Sequence, residues 1–139
     1  MQRREARAEI LKALYGYEFD DGRRGAIEDR LVECDPGEQA DFIREMYTGT
    51  LDRKEEIDRM ISKFAVGWKV DRLAFLDRNI LRMALYELLY YKKTPAEVVI
   101  NEAIELAKKY GTDNAPKFIN GILDRIWKEE SGREDELRA

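Results

Sequence analysis

Apolar residues recur at steps of three and four along almost the whole of this sequence, a period that helices satisfy and strands do not. Between Arg3 and Phe19 the positions Ala6, Ile10, Ala13, Leu14 and Tyr17 follow it and predict a first helix. Ala40, Ile43, Met46, Tyr47, Leu51, Ile57, Met60, Ile61 and Phe64 hold the same register, interrupted only by Gly49 and Thr50, which predicts one bent helix or two. Over 77–91, Ile80, Leu81, Ala84, Leu85, Leu88 and Leu89 make a wide apolar face flanked by Met83 and Tyr86, the mark of a central buried helix. Val99, Ala103, Leu106, Ala107 and Tyr110 supply the stripe of the next helix. Phe118, Ile119, Ile122, Leu123 and Ile126, with Trp127 at the edge, supply the last. The period-two alternation of strands is nowhere sustained, and no internal repeat occurs.

Local signals punctuate these helices. Asp20-Asp21-Gly22 with Gly25 reads as a turn, and Ala26, Ile27, Leu31 and Val32 as a short second helix ending before Pro36, where Asp35 and Pro36 cap and open the third. Gly67-Trp68-Lys69-Val70 breaks the pattern, and Asp71 is placed to cap a short turn through Leu73 to Leu76. Thr94-Pro95-Ala96-Glu97 predicts a threonine cap, a proline at the first helical position and a glutamate closing a capping box. Gly111 is expected to end that helix in the left-handed conformation, with Lys108 and Lys109 near its negative end. Pro116 opens the last helix, and the polar residues after Ser131 are expected to fray. The expectation is an all-α fold of about seven helices without a sheet. One domain spans 1–139, with an N-terminal helical subdomain 1–66, a C-terminal one 67–131 and a tail 132–139.

Composition narrows the chemistry. A hydrophobic share of 44% in 139 residues is enough for one unstapled core. The single cysteine, Cys34, precludes an intramolecular disulfide, and with no apolar leader in view it points to a reducing cytoplasm. The densest apolar stretch, 80–91, is broken by Arg82 and Glu87 and falls short of the ~18 residues a bilayer requires, so no membrane span is expected. Histidine is absent, which removes the commonest general base and nitrogen ligand. Carboxylate pairs such as Glu102 with Glu105 or Asp20 with Asp21 have no nucleophile, metal cluster or phosphate loop beside them and read as solvated faces and caps. Nothing activates Cys34 beside Asp35. The chain is therefore expected to be no enzyme and to carry no cofactor and no metal. A net charge of −4 means that any nucleic-acid site must be a local basic patch.

Two places suit such a patch. At about 100° per residue, Arg4, Arg7, Leu11 and Tyr15 fall along one stripe of the first helix with Arg3 beside it, bringing guanidinium groups onto one surface with an aromatic ring. Arginine contacts phosphates and tyrosine stacks on unpaired bases, the chemistry of a single-stranded RNA site. The same residues also suit a solvated helix end paired with Glu5 and Glu9. The second place is Asn114-Ala115-Pro116-Lys117-Phe118-Ile119-Asn120-Gly121. Free N–H groups at a helix start beside Lys117 can hold a phosphate, and Asn120 can read a base edge. Its structural alternative has Phe118 in the core, Asn120 bonded internally and Gly121 at a close helix contact.

Three segments resemble the NusB family in order and spacing: Leu76-Asp77-Arg78-Asn79-Ile80-Leu81-Arg82-Met83-Ala84-Leu85-Tyr86-Glu87-Leu88, Ile100-Asn101-Glu102-Ala103-Ile104-Glu105-Leu106-Ala107-Lys108-Lys109-Tyr110-Gly111 and Lys117-Phe118-Ile119-Asn120-Gly121-Ile122-Leu123-Asp124. The helix with Arg3, Arg4, Arg7 and Ala13-Leu14-Tyr15 fits the family's basic N-terminus. The resemblance implies two packed helical bundles. It also implies binding of boxA RNA in ribosomal RNA leader transcripts, cooperatively with the ribosomal protein NusE, within an antitermination complex of RNA polymerase and other Nus factors. Carried over by residue, Arg3, Arg4, Arg7, Tyr15, Lys117, Phe118 and Asn120 are the expected RNA contacts, and Asp77 and Asn114 contact RNA or partner. A homodimer of the free protein is left open. Rival readings are an RNA-binding accessory module like that of ribosomal RNA cytosine methyltransferases, and a helical adaptor that binds only protein.

Overall fold

The computed structural model describes residues 1–19 and 37–138, with side chains described as far as residue 132. Among these residues lie six α-helices and no strand: α1 Arg3–Phe19, α2 Ala40–Asp52, α3 Lys54–Phe64, α4 Phe75–Tyr86, α5 Ala96–Tyr110 and α6 Ala115–Arg138. A 3-10 turn, Val70–Arg72, precedes α4, and a π-helical turn, Glu87–Tyr91, continues it. The turn expected at 20–25, the short helix around 26–32, the cap at Asp35 and Pro36, and Cys34 all lie outside the described residues.

Helix α4 packs against α1, α2, α3, α5 and α6. Every side chain from 79 to 85 is buried, far more than the single stripe of a surface helix, which is why its sequence is apolar almost all round. The α5 and α6 helices cover one side of it, and α1 and α2 another. Three charged side chains of this helix and its π turn are buried: Asp77, which Thr112 hydrogen-bonds, and Arg82 and Glu87, each of which has an ionic partner. Arg82 donates to the Asp58 carboxylate at 2.8 and 3.0 Å and to Glu18 at 3.1 Å. Glu18 also accepts from Arg78 and Asn79, so one buried ionic network ties α1, α3 and α4 together. The partner of Glu87 is Arg7.

The long third segment is two helices. Their break falls at Arg53, with φ −101° and ψ 9°, rather than at Gly49 or Thr50. Gly49 stays helical for a reason of space: a Cβ there would sit 2.1 Å from the Tyr86 ring, so the missing side chain lets α2 and α4 approach.

At α5, Pro95 rather than Thr94 occupies the cap, with ψ 140°, and no side chain caps the helix. The Pro95 carbonyl accepts the Val99 N–H at 3.1 Å. Gly111 follows α5 in extended backbone, φ −86° and ψ 177°, and not left-handed. Its glycine answers crowding instead, since a Cβ would meet the Ala107 carbonyl oxygen and an Asp77 carboxylate oxygen at 2.8 Å. Helix α6 continues beyond Ser131 to Arg138. Among the described residues no helix is long and apolar enough to cross a membrane.

Candidate nucleic-acid interface

The arginines of α1 do not share one surface. Arg4 is exposed and donates twice to Glu102 of α5, at 2.9 and 3.1 Å. Hydrogen bonding to Glu102 first, and its charge second, raises the Arg4 pKa further, so the group stays a cation. Arg3 is half-buried, its guanidinium 3.9 Å from the centre of the Phe42 ring and 3.4 Å from the Tyr91 hydroxyl. Arg7 is 5% exposed and donates to both Glu87 oxygens, at 2.6 and 3.0 Å. Leu11, the next residue of the expected stripe, is fully buried. The stripe expected on the surface is thus partly interior. Helix α1 packs on both α2 and α4, which widens its buried face to take in Arg7 and Leu11. As placed, Arg7 is buried and directs Nε and Nη2 at Glu87, so its guanidinium does not face the surface where the sequence reading put a phosphate.

Tyr15, at the other end of that stripe, does reach the surface. It is 40% exposed and joins two exposed rings that sequence patterning does not single out: Phe19 at 4.9 Å and Phe75 at 6.3 Å between centroids. Phe19 and Phe75 are 4.9 Å apart, and the Arg78 guanidinium lies 4.3 Å from the Phe75 centroid. The result is an aromatic surface built by the end of α1 meeting the start of α4, with the Arg78 guanidinium packed on Phe75 and paired with Glu18.

On the other side of the start of α4 lies the turn between α5 and α6. Asp77 is buried, and its carboxylate accepts the Thr112 N–H at 3.1 Å and the Thr112 hydroxyl at 2.7 Å. Its acceptors face the turn and hold Thr112 in place. Asn114 is exposed, and its carbonyl accepts the Phe118 N–H at 3.1 Å, opening α6. Lys117 and Asn120 are exposed and Phe118 is half-buried against the core. Asn120 therefore has no interior role, and Gly121 makes no close contact, since a Cβ there would have its nearest neighbour, Arg125, at 3.7 Å.

Between this turn and the segment before α4 is a cavity of about 280 Å³, lined by Trp68, Arg72, Asp77, Asn114 and Phe118 among others. Asp77, Asn114 and Phe118, all expected from the sequence, meet here with Trp68 and Arg72, which were not. A larger groove of about 550 Å³ runs between α1 and α5, but its Lys and Arg side chains, Arg4, Lys12, Lys108 and Lys109, lie among as many carboxylates, Glu5, Glu9, Glu102 and Glu105. That balance makes it a poor seat for a polyanion. Among the described residues no group of three or more His, Cys, Asp or Glu is placed to hold a metal.

The model of the NusB family matches residues 4–128, which takes in the whole of this surface. The chain belongs to the NusB family. It is 45% identical over 129 residues to the transcription antitermination protein NusB of Bacillus subtilis, covering 91% of this chain and 95% of that protein. Its fold is similar to crystallised NusB from T. maritima, with a TM-score of 0.81, 43% identity, and 93% and 92% of the two chains covered. A structure of the antitermination factors NusB and NusE in complex with dsRNA matches with a TM-score of 0.80 at 29% identity, over 91% of this chain and 96% of that one. As a NusB-family antitermination factor the protein works by binding and not by catalysis.

The NusB pattern marks the start of α4 by its sequence and leaves Trp68 and Phe75 as parts of a break. A signal is nevertheless present: a large aromatic directly after a glycine, at a point where helical period stops, has no helix face to pack on. Gly67 has φ +84°, and with it the chain leaves α3 so that Trp68, 57% exposed, turns to the cavity rather than the core.

Proposed function

We propose that this protein binds single-stranded RNA of the boxA type across the face formed by Tyr15, Asn114, Lys117, Phe118 and Asn120, cooperatively with a NusE-type ribosomal protein, as part of an antitermination complex that lets RNA polymerase read through terminators. The observation that carries the reading is the aromatic surface that Tyr15, Phe19 and Phe75 form where α1 ends and α4 begins. Contiguous exposed rings mark interaction surfaces more often than isolated ones do, and unpaired bases stack on them. The NusB–NusE relative crystallised with RNA supports both the ligand class and the partner. Its RNA is double-stranded, whereas exposed rings favour unpaired bases, so a comparison of the two forms is informative.

In this reading Lys117 supplies a phosphate contact and Asn114 and Asn120 reach base edges or backbone. Arg4 exchanges Glu102 for phosphate when RNA arrives. Arg3, Arg7 and Asp77 act from behind by holding α1 and the 112–114 turn in place.

Fluorescence anisotropy with a labelled boxA RNA, its scrambled sequence and its duplex, each with and without the NusE-type protein, tests the proposal. The expected result is tightest binding to single-stranded boxA, strengthened by the partner by the same factor by which RNA strengthens partner binding. Lys117→Ala should lower the slope of log affinity on log salt by about one. Equal affinity for all three RNAs, unaffected by the partner, would overturn it.

A further inference from the structure

The cavity beside the start of α4 contains groups for which the fold itself has no use. Its volume, about 280 Å³, lies at the lower edge of the ~300–1,000 Å³ of small-molecule sites, the scale of one planar base rather than several. Trp68 is 57% exposed although it lines this hollow, and the left-handed Gly67 before it leads the chain out of α3 to put it there. Phe118 adds a second aromatic wall. The rim is polar. The Asn114 side chain both donates and accepts hydrogen bonds, and Arg72, exposed, has no side-chain ion pair among the described residues. Thr112 engages both Asp77 carboxylate oxygens and turns them toward the 112–114 turn, but the negative charge remains, so the interior suits an uncharged base and a phosphate belongs at the rim.

We propose that this cavity receives one extruded base of the bound RNA, stacked on Trp68, with the Arg72 guanidinium holding the adjoining phosphate. The inference rests on the RNA-binding reading above and adds to it a base subsite and two residues, Trp68 and Arg72. The cavity and the Tyr15 surface flank the start of α4, Ala74 lining the cavity and its neighbour in sequence, Phe75, belonging to the aromatic cluster. A strand lying across the start of α4 therefore meets both. Charge and shape favour a nucleobase over an apolar peptide side chain, since the walls are aromatic and the rim carries a guanidinium and an amide.

The test pairs the protein with RNA lacking one base at a time. A single-stranded boxA RNA is made with an abasic nucleotide at each position in turn, and its affinity is measured for the native chain, Trp68→Ala, Trp68→Phe and Arg72→Ala. Trp68→Ala is expected to weaken binding about fivefold to a hundredfold, the effect of losing one stacked base, and Trp68→Phe to retain most of the affinity. One abasic position should weaken binding to the native chain and have no further effect on Trp68→Ala. Arg72→Ala should lower the salt slope by about one, while Trp68→Ala leaves it unchanged. Trp68 lies at the surface, so both variants should unfold as the native chain does; a Tm more than a few degrees lower would move the test to Trp68→Phe and the abasic series.

The two readings fail separately. If Trp68→Ala binds every RNA as the native chain does while Lys117→Ala and Tyr15→Ala bind weakly, the base subsite is wrong and the RNA surface stands. If none of these variants changes RNA affinity, both are wrong. If Trp68→Ala keeps RNA affinity and loses the NusE-type protein, the cavity belongs to a protein partner and the proposal is overturned.

Discussion

Replacing Arg7 by alanine separates a structural arginine from a ligand-binding one. In the folded chain its guanidinium lies almost wholly out of water and donates to both oxygens of Glu87, at 2.6 and 3.0 Å, inside the contact of α1 with the end of α4. Removing it leaves a buried carboxylate without a partner. Such losses cost about 3–5 kcal/mol, far more than the ~0–1 kcal/mol of an exposed pair. For a chain of this size that corresponds to a fall in Tm of roughly 10 °C or more. Replacing both partners, Arg7→Met with Glu87→Leu, removes the two desolvated charges together and should restore most of the stability, because apolar residues of similar volume commonly equal a buried ion pair. Urea or thermal unfolding of the native chain, the two single variants and the double gives a complete cycle. The affinity of folded Arg7→Ala for boxA RNA should stay within about threefold of native, with the salt slope unchanged. A Tm within about 2 °C of native together with lost affinity and a slope reduced by about one would refute the reasoning and return Arg7 to the RNA-binding surface.

Other outcomes follow from the same geometry. Gly49→Ala should destabilise the protein by about 1–3 kcal/mol in denaturant unfolding, because its methyl enters the Tyr86 ring, and Tyr86→Ala in the same chain should relieve that clash, making the pair non-additive. Glu102→Gln should change Tm by little, the Arg4 pair being exposed, yet steepen the salt dependence of RNA binding by freeing a cation; a flatter slope would count against Arg4 as a phosphate contact. Asp77→Ala should weaken RNA binding more than it lowers Tm by loosening the Thr112 turn, and adding Thr112→Ala should cost little more; fully additive losses in affinity would show that the two act apart.

The features legible in the sequence are those that local rules determine. The bounds of α1 follow from apolar spacing alone, and the central burial of α4 from an apolar face too wide for a surface helix. The features that escape such rules all depend on partners distant in sequence. Arg7 looks solvent-facing until Glu87, 80 residues on, is placed opposite it. Arg82 looks like a flaw in an apolar helix until Asp58 and Glu18 converge on it. Gly49 and Gly111 have the look of conformational signals, yet both mark crowding, against Tyr86 in one case and against Ala107 and Asp77 in the other. Spacing along one helix carries no information about what lies across from it.

At the interface, Tyr15, Asn114 and Lys117 are recognisable because each combines a suitable side chain with a helix position that faces outward. Phe19 and Phe75 are not, since an aromatic in a helical pattern is most often core and their exposure follows only from how α1 and α4 converge, whereas Trp68 is marked by the glycine before it at the break in the pattern.

Titrating isotope-labelled protein with single-stranded boxA RNA, and following backbone amides and the Trp68 indole by NMR, tests the placement of the RNA site most directly. The largest shifts are expected at Tyr15, Trp68, Phe75, Asn114, Lys117 and Phe118, with Arg7 and Glu87 nearly still. Shifts gathered instead where Arg53, Glu56 and Tyr90 meet would contradict that placement.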